Sequence, residues 1–207
     1  MVVIGGKLEE IPGIKSVSYL EDPSLRLTGQ DRRKRREAEV RAIVLHTTGG
    51  YPDRTHPTPQ RVREEEASER ALRGRRVERM WEEDDRCAGA HLILDADASL
   101  LCLADLLSEA TYHAKNMNEW TIGIEIVQQP DSSLYAAQMR ALPVLVGWLC
   151  NRFELPRRAC FPYTGVRSSI AEERGVYGHR DCSDNRGFGD PGDFAMQVLL
   201  DAGWKTF

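Results

Sequence analysis

Long apolar runs are missing from this chain of 207 residues. The longest nearly apolar stretch, Leu142 to Cys150, contains Pro143 and Gly147 and falls well short of the ~18–20 residues that a membrane span needs. No membrane-spanning segment is expected. No secretory leader is expected either: Met1-Val-Val-Ile-Gly-Gly6 is followed by Lys7 and then by Glu9 and Glu10, without the basic start and longer apolar stretch of a signal peptide. Synthesis and initial residence in the cytoplasm are expected. Charge of one sign is lacking too. Twenty-eight basic residues against 32 acidic ones leave a net charge of −4, so the balance points to no nucleic-acid partner. The five cysteines are odd in number, show no CxxC spacing and mostly sit in apolar segments, which predicts reduced core thiols rather than a disulfide framework. Internal repeats and low-complexity tracts are also missing. What is present, 41% hydrophobic and 29% charged residues, is ordinary globular composition, in a length that suits one domain.

Organisation along the chain divides it near residue 40. The first forty residues mix the turn signals Pro12-Gly13 and Asp22-Pro23 with a charge run, Asp31-Arg-Arg-Lys-Arg-Arg-Glu37, and only Ile14 to Leu20 reads as a short strand. Residues 1–40 are therefore expected to form an N-terminal extension laid against a domain spanning 41–207. The basic run reads as a solvated linker. Ala42-Ile-Val-Leu45 is a short apolar, β-branched run that delivers His46 to the C-terminal edge of a buried strand. Thr58-Pro59 then opens a charged helical insertion over about 55–85, which Gly74 divides into two pieces.

Beyond the insertion the pattern alternates strand and helix. His91 to Leu94 and Leu100 to Leu103, joined by Asp95-Ala-Asp-Ala-Ser99, predict a β-hairpin. In Thr121 to Val127, Ile122, Ile124 and Ile126 share one face, so Glu125 points to the other. Asp131-Ser-Ser133 is positioned to cap a helix whose core stripe is Leu142, Val146, Leu149 and Phe153, with Pro143 either kinking it or marking its start. Val176 to His179 reads as a second strand ending in histidine, and Asp193 to Ala202 as a closing helix. The order is mixed α/β, a central mixed sheet flanked by helices in a single domain.

Two strand-end histidines, His46 and His179, and the acidic turn Gly189-Asp-Pro-Gly192 make a donor set of two imidazoles and a carboxylate. A catalytic zinc takes three such protein ligands at ~2.0–2.2 Å and keeps a fourth position open.

In order along the chain, Ile43-Val-Leu-His-Thr-Thr48, Gly89-Ala-His-Leu-Ile-Leu94, Tyr112-His-Ala-Lys115 with Asn118, Thr121-Ile-Gly-Ile-Glu-Ile126, and Tyr177-Gly-His-Arg-Asp181 with Asp190-Pro-Gly192 resemble the zinc-dependent N-acetylmuramoyl-L-alanine amidases. That superfamily takes in phage lysozyme-like amidases, cytoplasmic amidases of cell-wall recycling and peptidoglycan recognition proteins. The resemblance runs from about Arg41 to the C-terminus. It implies a Zn2+ cofactor held by His46, His179 and Asp190, with Cys182 as the competing third ligand. It implies Glu125 as general base, and His113 and Asn118 in the substrate groove, while His91 matches a structural position. Two departures stand out: Ala90 replaces a tyrosine of the phage and recognition-protein branches, and Phe188 replaces a lysine of the phage and recycling amidases. Arg186 is the candidate to supply that lysine's charge.

The implied reaction is hydrolysis of the amide between N-acetylmuramic acid and L-alanine in peptidoglycan or muropeptides. The alternatives are a non-catalytic peptidoglycan-binding module and a zinc hydrolase of another amide bond in the cell wall. Without a leader, three settings fit: recycling of cytosolic muropeptides, endolysin action after phage lysis, and an antibacterial effector delivered by a secretion system. The charged insertion is a candidate for binding a delivery or immunity partner.

Overall fold

The structure is a computed structural model that describes residues 1–27, 39–48, 77, 81, 89–129, 133–167, 173–183 and 190–207. The basic run 31–37, the charged insertion apart from the helical residues Val77 and Trp81, Cys87, Asp131, Ser132, Arg186 and Phe188 lie outside the described residues.

The chain opens with a feature that the sequence reading passes over. Strands β1 (Val2–Ile4) and β2 (Lys7–Glu9) form an antiparallel hairpin with Ile4 opposite Lys7. Its two-residue loop is Gly5-Gly6, with φ of 58° and 77°, the left-handed geometry that a tight hairpin needs and glycine accepts at little cost. The signal lay in Val2-Val-Ile-Gly-Gly6 itself. Asp105 holds the loop, accepting from the backbone N–H of Gly5 at 2.9 Å and of Gly6 at 2.6 Å. Val2, Val3, Ile4, Ile11 and Ile14 are buried in the main core, so this segment is packed into the fold.

Eight further strands form one sheet: β3 (Ser16–Ser18), β4 (Ala42–Thr47), β5 (Leu92–Leu94), β6 (Leu100–Cys102), β7 (Thr121–Ile126), β8 (Arg158–Ala159), β9 (Gly175–Gly178) and β10 (Lys205–Thr206). Their spatial order is β10-β8-β9-β4-β7-β5-β6-β3. Strands β5 and β6 are the expected antiparallel hairpin. The other neighbours run parallel, with β4 central between β7 and β9.

Helix α1 (Ala136–Arg152) carries Leu142, Val146 and Leu149 into the core, as their spacing predicts. Pro143 is interior to it, and the helix starts seven residues earlier, at Ala136. Its N-cap is Tyr135, not the Asp131–Ser133 segment. The buried Gln138 explains the displacement, because its carbonyl oxygen accepts from Tyr135 N–H at 3.0 Å while its amide donates to the carbonyls of Leu94, Asp95 and Val127 at 2.9–3.1 Å. The Leu94 and Asp95 carbonyls also accept from the N–H groups of Val127 and Ala98, so the Gln138 amide adds to bonds already made at the strand ends and ties the first turn of the helix to them. A one-turn helix α2 (His179–Cys182) follows β9, and α3 (Asp193–Asp201) closes the fold.

The two faces of the sheet differ in chemistry. Ile43 and Leu45 of β4 and Ile122, Ile124 and Ile126 of β7 join the core packed by α1 and α3. Fully burying each such side chain contributes about 1.5–3 kcal/mol. A one-residue slip of β7 would put Glu125 into that core, so its facing is strongly determined. On the opposite face two smaller apolar clusters, one around Ile93 and Leu103 and the other around Val44 and Tyr177, flank the polar positions His46 and Glu125. Cys102, Cys150, Cys160 and Cys182 are free thiols. Among the described residues no helix is long and apolar enough to cross a membrane.

Candidate metal centre

His46 and His179 reach the same place because β4 and β9 are parallel neighbours in register, Leu45 beside Gly178. His46 is the next residue of β4, and His179 follows β9 as the first residue of α2. Both are buried, and their rings meet edge to face with centroids 4.6 Å apart.

Asp190 arrives from the loop before α3. A Cβ on Gly178 would lie 2.7 Å from Cδ of Pro191, so glycine is what lets the proline ring close against the end of β9. Arg180 N–H donates to the Asp190 carbonyl at 2.8 Å and fixes the loop backbone. The Asp190 carboxylate then accepts from Thr47 N–H at 3.1 Å and lies 3.1 Å from His179 Nδ1 and 3.7 Å from His46 Nδ1.

Ligand atoms from His46, His179 and Asp190 all lie within 4.8 Å of one another. A tetrahedral site with bonds of ~2.0–2.2 Å separates its ligand atoms by about 3.3–3.6 Å, so the observed spacings fit one metal ion with small adjustments. The donor chemistry fits as well. Two imidazole nitrogens and a carboxylate converge in a largely buried place, where a cation reconciles lone pairs that otherwise face one another.

Cys182, the competing ligand, is outside this group. Its Sγ donates to the Gly178 carbonyl at 3.3 Å. Burial, reinforced by the charge of Asp181, pushes its thiol far above the usual cysteine range in the metal-free protein.

Glu125 is buried on β7 as the register partner of His46, on the face its strand alternation predicts. His113 is buried beside His46, with its Nδ1 3.0 Å from His46 Nε2. Asn118 shapes the loop that carries it: Asn118 Oδ1 accepts from the N–H of His113 at 3.0 Å and of Ala114 at 2.6 Å. His91 is structural in its contacts, with Nδ1 accepting from Gly123 N–H and Nε2 against the Glu109 carbonyl, both at 3.0 Å. Two participants escaped the sequence reading. Thr121 and Gly123 lie on the Glu125 face of β7, and that alternation was the available signal: Thr121 Oγ1 contacts His113 Nε2 at 3.1 Å, and the His113 ring packs over Gly123.

Comparison with known proteins places the fold. The chain is similar in structure to the endolysin N-acetylmuramoyl-L-alanine amidase LysCS of Clostridium intestinale, with 17% identity and a TM-score of 0.52 over 95% of this chain and 99% of that one. It is also similar to a selenomethionine derivative of AmpD, at 16% identity and a TM-score of 0.52, covering 96% of this chain and 99% of that one. The ectodomain complex of peptidoglycan recognition proteins LCa and LCx, solved with bound tracheal cytotoxin, aligns at 16% identity and a TM-score of 0.51 over 90% of this chain and 95% of that one. At such identities the likeness shows a shared fold. No curated protein is similar to the chain at the level of sequence. The family model for N-acetylmuramoyl-L-alanine amidase matches residues 36–193, a span that contains His46, Glu125, His179 and Asp190, and the chain belongs to the N-acetylmuramoyl-L-alanine amidase family.

Proposed function

We propose that the protein is a zinc-dependent hydrolase of the amide bond between the lactyl group of N-acetylmuramic acid and L-alanine, in peptidoglycan or soluble muropeptides. The observation that carries the reading is the convergence of His46, His179 and Asp190 within 4.8 Å beside the buried carboxylate of Glu125. The nitrogen and oxygen donors suit zinc. Zinc bound there would polarise the scissile carbonyl and lower the pKa of water from 15.7 towards ~7.

The chain's own residues supply the proton transfers. Glu125 takes a proton from the attacking water as the carbon–oxygen bond forms. It then returns that proton to the alanine nitrogen as the carbon–nitrogen bond breaks, leaving a lactyl carboxylate and a free amine. In support of this role, Glu125 is buried and is the register partner of His46 across β4 and β7. To Arg186 we assign, on sequence grounds, the positive charge that stabilises the developing oxyanion in place of the family's lysine. The substrate reaches this site either as a recycled fragment or in the wall itself after lysis or delivery.

Glu125→Gln tests the reading. The variant should retain about one zinc per chain and lose ~10²–10⁴ in kcat on purified muropeptides. Full hydrolysis by a zinc-loaded Glu125→Gln protein would overturn the assigned base. Binding of muropeptides by the wild type without metal or turnover would favour a non-catalytic recognition module instead.

A further inference from the structure

We propose that His113 is a positioning residue that fixes His46 as its Nε2–H tautomer and so presents the Nδ1 lone pair to the metal, a role that rests on the zinc reading above. The backbone carbonyl of Met117 can only accept, and Thr121 Oγ1 donates to it at 2.8 Å. A hydroxyl has one proton. Thr121 Oγ1 must therefore act as acceptor towards His113 Nε2, 3.1 Å away, which places the His113 proton on Nε2. Neutral His113 then has a bare Nδ1, and that atom lies 3.0 Å from His46 Nε2. The contact is a hydrogen bond only if His46 carries its proton on Nε2. The lone pair of His46 Nδ1 is left facing Asp190, 3.7 Å from its Oδ1, in the position of a metal ligand.

The order from carbonyl to metal is thus Met117, Thr121, His113, His46. A metal-bound histidine commonly donates its second nitrogen to an outer partner that sets tautomer and ring orientation. Here the partner is a second histidine whose own tautomer is set in turn. The ring of His113 is held in three ways. Asn118 pins its loop, and the ring of His91 meets it edge to face at 5.5 Å. Gly123 provides the space, since a Cβ there would lie 2.6 Å from His113 Nδ1. His179 has no equivalent among the described residues, because its Nε2 is buried without a hydrogen-bond partner. Among the described residues, outer support of the two imidazole ligands is therefore seen at His46, while Asp190 is held by Thr47 N–H. The buried position of His113, both ring nitrogens engaged within the protein, suits this role better than direct contact with substrate.

The test uses the full chain in metal-free form at pH 8, well above the ordinary imidazole pKa of ~6.5. Long-range proton–nitrogen correlation of the imidazole nitrogens reads the tautomers, and chelator competition reads zinc affinity. Wild-type His46 should be the Nε2–H tautomer, and His113 likewise. His113→Leu should weaken zinc binding ~10- to 100-fold and leave His46 a tautomer mixture. His113→Asn, whose side-chain oxygen replaces the Nδ1 acceptor, should restore most of that loss, which a merely space-filling role would not predict. Thr121→Val should shift the His46 tautomer in the same direction as His113→Leu. If His113→Leu does not fold, the Asn and Thr121→Val variants decide between the same outcomes. A His46 Nδ1–H tautomer in the wild type, or unchanged zinc affinity in a folded His113→Leu protein, overturns the proposal. The tautomer is readable whether or not the protein cleaves muropeptides, so failure of the amidase reading is seen separately, as bound zinc without turnover.

Discussion

His46 and Glu125 are register partners on the neighbouring parallel strands β4 and β7. Both project from the face opposite the isoleucine core, at an interstrand spacing of ~4.8 Å. The same pleat that buries Ile43, Leu45, Ile124 and Ile126 therefore sets a metal ligand beside a buried carboxylate. The energetics of the core and the placement of the chemistry are one arrangement.

The ligand assignment predicts an asymmetry among substitutions. His46→Ala, His179→Ala and Asp190→Ala should each weaken zinc binding by roughly 100-fold or more and abolish turnover, whereas Cys182→Ser should keep about one zinc per chain. Metal analysis of dialysed protein checks this. Zinc loss on Cys182→Ser in a folded protein would reinstate the cysteine as third ligand.

Arg186→Ala should lower kcat ~10²–10³ with zinc content unchanged, the usual effect of removing one electrostatic donor to an oxyanion. Steady-state kinetics on a purified muropeptide measure it. Wild-type kcat in the variant would remove Arg186 from the mechanism.

Gly123→Ala tests the packing beneath the centre. The added Cβ would come within 2.6 Å of Nδ1 and 2.7 Å of Cγ of His113. That ring is bonded at both nitrogens, so it cannot swing aside freely. Overpacking of this kind costs about 1–3 kcal/mol. Denaturant unfolding should show the loss, accompanied by weaker zinc binding. Unchanged stability and affinity would mean that the ring does not rest on β7.

The N-terminal hairpin predicts a pH dependence. Burial alone would raise the carboxyl of Asp105, but backbone N–H groups of Ser108, Leu107, Gly5 and Gly6 outweigh it and hold the group below the usual carboxylate range. A depressed native pKa gives stability that is complete above the unfolded value of ~3.9 and is lost as pH falls through the native value. Asp105→Asn should therefore cost about 2 kcal/mol at pH 7, a gap that persists down to about pH 4 and closes below it. Parallel unfolding curves at pH 7 and pH 3 measure the gap; equal gaps at both would contradict the account.

Local patterns in the sequence were sufficient for β4, the β5–β6 hairpin, the two-faced β7 and the core stripe of α1, because each depends on hydrophobic periodicity within a few residues. The convergence of His46, His179 and Asp190 depends instead on pairings between β4, β7 and β9 that lie far apart in the chain, and motif order carried that part of the reading. Three features needed the folded contacts. Helix α1 begins upstream of Pro143 because Gln138 ties its first turn to buried strand-end carbonyls. The β1–β2 hairpin becomes meaningful once Asp105 caps its loop from a hundred residues away. The direction of the Thr121–His113–His46 hydrogen bonds follows from a carbonyl, Met117, that no periodicity marks.

The most direct measurement is mass spectrometry of intact sacculi and soluble muropeptides digested in parallel by zinc-loaded and metal-stripped protein. The account predicts free stem peptides beginning with L-alanine, together with glycan bearing an unsubstituted lactyl carboxylate, in the zinc-loaded digests and their disappearance on stripping. Zinc-loaded protein that releases no alanine-terminated stem peptide from either substrate would contradict it.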